Sequence, residues 1–168
     1  MSIKSSRIKI IVMDVDGTLT DGQIYMGEHG ELMKAFDSKD GYAIKVLLPQ
    51  YNIEPIVITG RKSSIVENRC RELGIEKVYQ NCTDKKEVLL RIIEETGLKI
   101  ENNKASGIAF IGDDNPDIPG MELSEYIGCP SDASRDVKCI ADYVCQSKGG
   151  HGAVREFVEW ILINENNE

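Results

Sequence analysis

Short runs rich in Ile and Val alternate along the chain with segments in which apolar residues recur every three or four positions. The runs predict buried strands of a parallel sheet, because strands covered by helices on both faces lose their polar alternation. The predicted strands are 8–13, 53–58, 78–79, 107–111, 126–129 and 143–145. The helical spacing predicts helices over 63–73, 84–96 and 153–163. This order indicates a parallel α/β fold, in which ligands bind at the carboxyl ends of the strands.

Residues 22–36 interrupt this alternation. Two half-apolar arms flank the letters G-E-H-G at 27–30, and a glycine-rich turn between two such arms is typical of a β-hairpin. The hairpin follows closely on the end of the first predicted strand. We therefore expect it to project as a flap beside any site at that end of the sheet.

Composition narrows the class of protein. The length of 168 residues predicts a single domain over 1–168. The net charge of −8 argues against general nucleic-acid binding, which needs a cationic face. No apolar run is long enough to span a bilayer. The five cysteines include no C-x-x-C pair, so neither a disulfide framework nor a zinc site is expected. Because the start lacks the apolar centre of a signal peptide, we expect a cytoplasmic location.

The first predicted strand ends in D-V-D-G-T at 14–18. Alternation along an extended chain lets Asp14 and Asp16 point the same way, and two carboxylates in one small volume repel unless a cation or a shared proton intervenes. A turn capped by Asp and Gly is the plainer interpretation. A calcium loop that begins D-x-D is excluded, because its required glycine and glutamate are replaced by Leu19 and Tyr25.

Polar residues also follow the second and third predicted strands. Thr59 and Gly60 end the second strand and offer a hydroxyl and a backbone N–H to an anion. Lys85 opens the helix after the third strand and offers a point charge that suits phosphate. Taken singly, a turn and a solvated helix end explain these residues equally well.

The fourth predicted strand ends in Asp113 and Asp114. Their plainer role is the start of a helix, with Asn115 as its cap and Pro116 in its first turn. All these residues nevertheless meet at one edge of one sheet. Several carboxylates can share a pocket with a phosphate only when a divalent cation and a lysine neutralise them. The set therefore predicts magnesium-assisted phosphoryl transfer.

The ordered set D-x-D-G-T, T-G, K and G-D-D-x-x-D resembles the haloacid dehalogenase (HAD) superfamily of phosphatases. The resemblance is closer still to the branch that hydrolyses 3-deoxy-D-manno-octulosonate 8-phosphate (KDO 8-phosphate). Further segments that carry it are K-A-F-D-S-K-D-G-Y (34–42), T-G-R (59–61), V-E-N-R-C (66–70), E-L-G-I (72–75) and G-G-H-G-A-V-R-E (149–156). It implies a Rossmann-like three-layer α/β fold with a mostly parallel central sheet, a β-hairpin flap after the first strand and no large cap domain.

The resemblance also implies the roles of the strand-end residues. Asp14 would be the nucleophile that becomes an aspartyl phosphate. Asp16 would protonate the departing sugar oxygen and then activate the hydrolytic water. Mg²⁺ would be held by the Asp14 carboxylate, the Asp16 backbone carbonyl and the Asp113 carboxylate, with Asp114 close by. The phosphoryl oxygens would be cradled by Thr59, Gly60 and Lys85.

The implied substrate-binding residues are Asp37, Lys45, Arg61 and Arg69. The family commonly has Asn at the position of Asp37 and Arg at that of Lys45. The two arginines suit a sugar-acid phosphate, although surface charge on a helix is an alternative interpretation of Arg69. KDO 8-phosphate is thus the first candidate substrate and a nonulosonate 9-phosphate the alternative. An acidic residue often follows T-G in enzymes of the second kind, so Arg61 disfavours it.

The resemblance further implies a homotetramer in which a flap and a neighbour's C-terminal tail close the site. Residues 23–36 would supply the flap and 149–156 the tail, whose glycines are equally consistent with a hinge before the last helix. A phosphoacceptor receiver domain is a different class with similar residues. It needs an aspartate after the third strand, where this chain has Gln80. A catalytically idle HAD-fold oligomerisation domain is the remaining alternative, although every expected catalytic side chain is present.

Overall fold

The protein is described here by a computed structural model, which covers residues 6–165. The strands are β1 (Ile10–Met13), β2 (Tyr25–Gly27), β3 (Gly30–Met33), β4 (Glu54–Ile58), β5 (Lys77–Tyr79), β6 (Ile100–Glu101), β7 (Lys104–Ile111), β8 (Ser124–Cys129) and β9 (Tyr143–Val144). The central sheet has the strand order β5-β4-β1-β7-β8-β9, in which every neighbouring pair is parallel, and the short strand β6 pairs antiparallel with β7. Strands β2 and β3 form a separate antiparallel hairpin.

Helices cover both faces of the sheet, so the predicted three-layer α/β fold is confirmed. They are α1 (Ser38–Tyr42), α2 (Leu48–Gln50), α3 (Ser64–Leu73), α4 (Lys85–Thr96), α5 (Ile118–Met121), α6 (Arg135–Ile140) and α7 (Ala153–Glu165). None of these helices is long and apolar enough to cross a membrane. Helices α3 and α4 begin at side-chain caps, Ser63 and Asp84, and end at left-handed glycines.

Two hydrophobic layers hold the sheet between the helices. Along β1, Ile11 and Met13 pack into the layer shared with α2, α3 and α7, whereas Ile10 and Val12 pack into the layer shared with α4 and α6. Both faces of the central strand are therefore buried, which is why its sequence is uniformly apolar. The loop that leaves its carboxyl end is fixed between two packed layers.

The hairpin β2–β3, here called the flap, is confirmed where the sequence predicts it. Its apolar side chains remain largely in solvent: Met26 is 60%, Leu32 67% and Met33 49% exposed. Packing against the rest of this chain therefore contributes little to holding the flap. Polar contacts, described below, anchor it instead.

One sequence interpretation of local structure is wrong. The helix start after β7 is capped by Asp114, with a reciprocal bond to Asp117, and not by Asn115. The region 149–156 contacts its own chain, since the Gly150 N–H donates to the Thr18 carbonyl at 3.0 Å; its implied role as a tail for a neighbouring subunit stays a prediction.

The same region lies directly against the loop after β1, and the hinge interpretation of its glycines stays a prediction. A Cβ added to Gly149 would lie 1.9 Å from the carbonyl oxygen of Gly17, so the backbone of the two segments is in direct contact. Helix α7 then begins at Ala153. Residues 166–168, the end of the implied tail, lie outside the described residues.

Candidate active site

The carboxyl ends of the parallel strands bring the predicted chemistry together. Asp14 follows β1, Thr59 and Gly60 follow β4, and Lys85 is the first residue of α4. They line an open cleft of about 200 Å³ together with Asp16, Arg61, Cys82, Asp113, Asp114, Pro116 and Asp117. This is the position at which a parallel α/β sheet binds its ligands.

Lys85 lies at the floor of the cleft between two carboxylates. Its Nζ is 2.5 Å from Asp14 Oδ1 and 2.5 Å from Asp117 Oδ1. The side chains of all three residues are less than one-tenth exposed. Burial acts to lower the pKa of Lys85, but the two carboxylates outweigh it and raise that pKa above its usual value. Lys85 is therefore a fixed positive charge beside Asp14.

Asp117 organises the end of β7, a role that sequence reasoning did not predict. Its Oδ2 accepts the backbone N–H groups of Asp113 at 2.9 Å and Asp114 at 3.2 Å, while its Oδ1 pairs with Lys85. The third aspartate of G-D-D-x-x-D was the available signal, because four residues of turn bring Asp117 back beneath Asp113. Asp114 itself is exposed and serves as a helix cap.

The acidic cluster carries more negative charge than one lysine offsets. Within residues 6–165, carboxylate oxygens of Asp14, Asp113 and Asp117 lie within 4.8 Å of one another. Burial and the neighbouring carboxylates raise the pKa of Asp113 to about 8, and burial with the repulsion of Asp117, against the opposing effect of Lys85, raises that of Asp14 to about 6. Such a site gains from a bound divalent cation.

The cluster has the right donors for Mg²⁺. Both oxygens of Asp117 are already engaged by Lys85 and the two backbone N–H groups, so Asp14 and Asp113 are the carboxylates best placed to hold an ion. Thr18 donates to Asp113 Oδ1 at 3.2 Å. Gly17 lies so near that a Cβ there would come within 2.1 Å of Asp113 Oδ2, and its φ of +98° suits glycine.

Asp16 is held by a lysine that follows the flap and by an arginine of the cleft. Lys34 Nζ contacts Asp16 Oδ1 and lies 2.9 Å from Glu31, and its side chain is 1% exposed. Burial acts to lower the pKa of Lys34, but its hydrogen bonds to the two carboxylates raise it. Asp16 Oδ2 faces Arg61, whose Nε is 4.0 Å away. Sequence reasoning did not find Lys34 or Glu31, because nothing in the hairpin letters marks which side chains turn inward.

The expected phosphate cradle lies on the β4 side of the cleft. Thr59 is 2% exposed, and its backbone N–H and carbonyl are bonded to Tyr79 and Cys82. The Thr59 hydroxyl therefore projects from a fixed backbone. Gly60 is exposed beside it, so a ligand has access to that part of the backbone.

The four predicted substrate residues occupy different surroundings. Arg61 lines the cleft, whereas Asp37 caps α1 by accepting the Lys39 N–H at 2.7 Å. Lys45 donates to the backbone carbonyl of Glu72 at 3.1 Å. Arg69 pairs with Glu72 at 2.8 Å and lies over the ring of Phe36. Within this chain, only Arg61 of the four is among the cleft-lining residues, and the substrate roles of all four stay predictions.

Comparison with known proteins identifies relatives along almost the whole chain. The 3-deoxy-D-manno-octulosonate 8-phosphate phosphatase KdsC of Salmonella typhi is 41% identical over 160 residues, which are 95% of this chain and 82% of the relative. The protein of the same name from Yersinia pestis is 36% identical over 163 residues, 97% of this chain and 84% of that relative. No protein-family model matches the chain.

Solved structures agree with the sequence relatives. The Moraxella catarrhalis KDO 8-phosphate phosphatase, solved with magnesium, phosphate and KDO, has a TM-score of 0.87 and 36% identity over 96% of this chain and 90% of that one. The cobalt-bound Haemophilus influenzae phosphatase (YrbI) has a TM-score of 0.87 and 34% identity over 95% of this chain and 90% of that one. The chain therefore belongs to the 3-deoxy-D-manno-octulosonate 8-phosphate phosphatase (KdsC) family of the HAD superfamily.

Proposed function

We propose that the chain is a magnesium-dependent phosphomonoesterase that hydrolyses KDO 8-phosphate to KDO and phosphate. The observation that carries the proposal is the buried contact of Asp14 with Lys85 in a cleft that also holds Asp113. A nucleophilic carboxylate, a fixed cation and a second carboxylate for a metal are the parts that phosphoryl transfer through an aspartyl phosphate requires. The names of the relatives supply the substrate.

Asp14 attacks phosphorus with the carboxylate oxygen that Lys85 does not hold. An O–P bond forms to Asp14 while the bond from phosphorus to the sugar oxygen breaks, and Asp16 donates its proton to that oxygen. Asp16 then takes a proton from water, which attacks the aspartyl phosphate and releases phosphate. Lys85 stabilises the charge on the phosphoryl oxygens, and Thr59 and Gly60 are placed to hydrogen-bond to them.

Asp14, Asp113 and the backbone carbonyl of Asp16 would hold Mg²⁺. When bound, the ion neutralises charge on the phosphoryl group and so assists displacement. The raised pKa values of the two carboxylates support this assignment, because groups that resist ionisation together are stabilised by a cation. Asp117 keeps Lys85 and the β7 loop in place rather than acting as a primary ligand.

Recognition of the sugar is assigned to Arg61 in the cleft, with Asp37, Lys45 and Arg69 as further contacts. Asp37 caps α1, Lys45 lies in the π-helical segment that follows α1, and Arg69 lies on α3. These three residues therefore reach a substrate most simply in an assembled enzyme. A homotetramer in which neighbouring subunits close the site is supported by the exposed apolar side chains of the flap. We place this one-domain enzyme in the cytoplasm.

Phosphate release from a panel of phosphomonoesters tests the proposal. The panel contains KDO 8-phosphate, a nonulosonate 9-phosphate and hexose phosphates, each with and without Mg²⁺, and Asp14→Asn is the control. We expect preferential release from KDO 8-phosphate that is lost without metal and in the variant. Preference for the nine-carbon sugar, or equal weak release throughout, would contradict the substrate assignment. Release from none of them would support an idle scaffold.

A further inference from the structure

The flap reaches into the active site through one lysine. Lys34 follows the end of β3, yet its side chain is 1% exposed because it turns inward between Asp16 and Glu31. A buried ammonium is unfavourable unless carboxylates compensate it closely. Here two carboxylates do so, one from the loop after β1 and one from the flap itself.

A second contact fixes the other end of this bridge. Glu31 Oε2 accepts the hydroxyl hydrogen of Ser63. Ser63 is 6% exposed, and its own N–H donates to the Gln80 side chain at 2.7 Å. The series Asp16–Lys34–Glu31–Ser63, here called the flap bridge, therefore connects the proposed proton donor to the start of α3. The exposed apolar residues of the flap offer no comparable attachment within residues 6–165.

The two carboxylate oxygens of Asp16 have different neighbours. Oδ1 contacts Lys34, while Oδ2 lies on the side of Arg61, a residue that lines the cleft. Rotation of the carboxylate would break the contact with a buried cation, so Oδ2 is the oxygen held toward the substrate. A carboxylic acid transfers its proton efficiently only when it is held in the correct orientation.

We infer that Lys34 is a positioning residue for Asp16, and that docking of the flap through Glu31 and Ser63 orients the proton donor. This inference rests on the proposed function, since it needs Asp16 to protonate the leaving oxygen. The ion pairs of Lys34 are with Asp16 and Glu31 and not with Asp14 or Asp113, so Lys34 acts through Asp16. The flap then controls proton delivery as well as access to the cleft.

Dependence on the leaving group distinguishes positioning from a general structural role. A sugar alkoxide is a poor leaving group that needs the proton of Asp16, whereas a nitrophenolate leaves without one. Lys34→Met is therefore assayed on two substrates: the sugar phosphate of the panel that the wild type hydrolyses best, and p-nitrophenyl phosphate. Lys34→Arg retains a cation, and Glu31→Gln weakens the bridge at its other end. Matched controls are Lys99→Met and Glu28→Gln, which are exposed and outside the bridge.

For Lys34→Met we expect kcat on the sugar phosphate to fall about 10- to 100-fold, a part of the effect of general acid catalysis. KM on that substrate and kcat on p-nitrophenyl phosphate should change little. Lys34→Arg should recover part of the loss, Glu31→Gln should show a smaller loss of the same pattern, and the controls should resemble the wild type.

Three results for Lys34→Met would overturn the inference. The first is that neither kcat nor KM on the sugar phosphate changes, and the second is an equal loss of kcat on both substrates. The third is a raised KM on the sugar phosphate with a normal kcat, which would make Lys34 a substrate ligand. Thermal unfolding of each variant shows whether an equal loss comes from misfolding, and Glu31→Gln then provides the second test. The proposed function is judged separately by the wild type. Selectivity for another sugar phosphate would contradict that function and leave the test of Lys34 intact, whereas an inactive wild type would overturn both.

Discussion

Replacement of Lys85 by methionine tests the electrostatic account of the cleft. Lys85→Met keeps an unbranched side chain of similar length but removes the positive charge that lies 2.5 Å from both Asp14 and Asp117. Removing one partner of a buried ion pair costs about 3–5 kcal/mol, because it leaves a buried charge without compensation. We expect a loss of unfolding free energy in this range at pH 8.5 in metal-free protein.

The loss should shrink as the pH falls. The pKa values of Asp14 and Asp113 in the folded protein, about 6 and about 8, lie above the ordinary value of 3.8. Their contribution to stability is therefore fully present below about pH 4 and is lost as the pH rises through those values. Without Lys85 both carboxylates ionise still less readily. At pH 5 they take up protons in the variant, which relieves the repulsion.

Urea unfolding at pH 5 and pH 8.5, in a chelator and in excess Mg²⁺, measures these differences. Lys86→Met is the matched control, since Lys86 is the exposed neighbour on the same helix. Excess metal at 100 times its Kd should return about 2.7 kcal/mol if the variant still binds it. An equal loss at both pH values, or the same loss in Lys86→Met, would refute the reasoning.

Three further expectations concern protons and packing. Mg²⁺ binding at pH 7 should release about one proton, because Asp113 with a pKa of about 8 is mostly protonated in metal-free protein. Calorimetry in buffers of different ionisation enthalpy measures the release, and zero release would contradict the expectation. Asp40 is 2% exposed, and burial raises its pKa from 3.8 to about 6. Up to about 3 kcal/mol of unfolding free energy should therefore be lost as the pH rises through 6. In unfolding experiments, Asp40→Asn should not show this decrease of unfolding free energy with pH. Gly149→Ala places a Cβ 1.9 Å from the Gly17 carbonyl oxygen and should destabilise the protein by about 1–3 kcal/mol. Gly27→Ala, whose Cβ has its nearest contact at 3.5 Å, should not destabilise it. Similar melting temperatures for the two variants would contradict the packing argument.

The sequence predicted the sheet well because its strands are buried on both faces. A continuous apolar run such as β1 is stable in an α/β fold only in the interior of the sheet. The turn glycines after α3 and α4 mark where those helices end. The helical region from Ser38 to Gln50 was not predicted. It is built from two short α-helices separated by a π-helical segment and contains Gly41 and Pro49, so neither its periodicity nor its composition favours a helix.

The strand-end residues were predictable because topology alone brings them to one edge. Contacts made by side chains that arrive from elsewhere were not. Asp117 depends on the exact turn after β7, and Lys34 depends on how the flap folds back over the loop of Asp16. Asp37 and Arg69 show the opposite limit: the resemblance assigns them to the substrate, but within one subunit they contact a helix end and a glutamate.

The contact of Gly149 and Gly150 with the loop after β1 determines how late in synthesis that loop can be completed. The loop that shapes the proposed nucleophile's surroundings is completed by residues from near the other end of the chain. At synthesis rates of about 5–20 residues per second, β1 leaves the ribosome on the order of ten seconds before those glycines. A nascent chain therefore carries the aspartates that are proposed to be catalytic before the backbone that packs against their loop. The residues proposed to hold Mg²⁺ end at Asp113, so these ligands are all synthesised before the glycines that pack against Gly17 and Thr18.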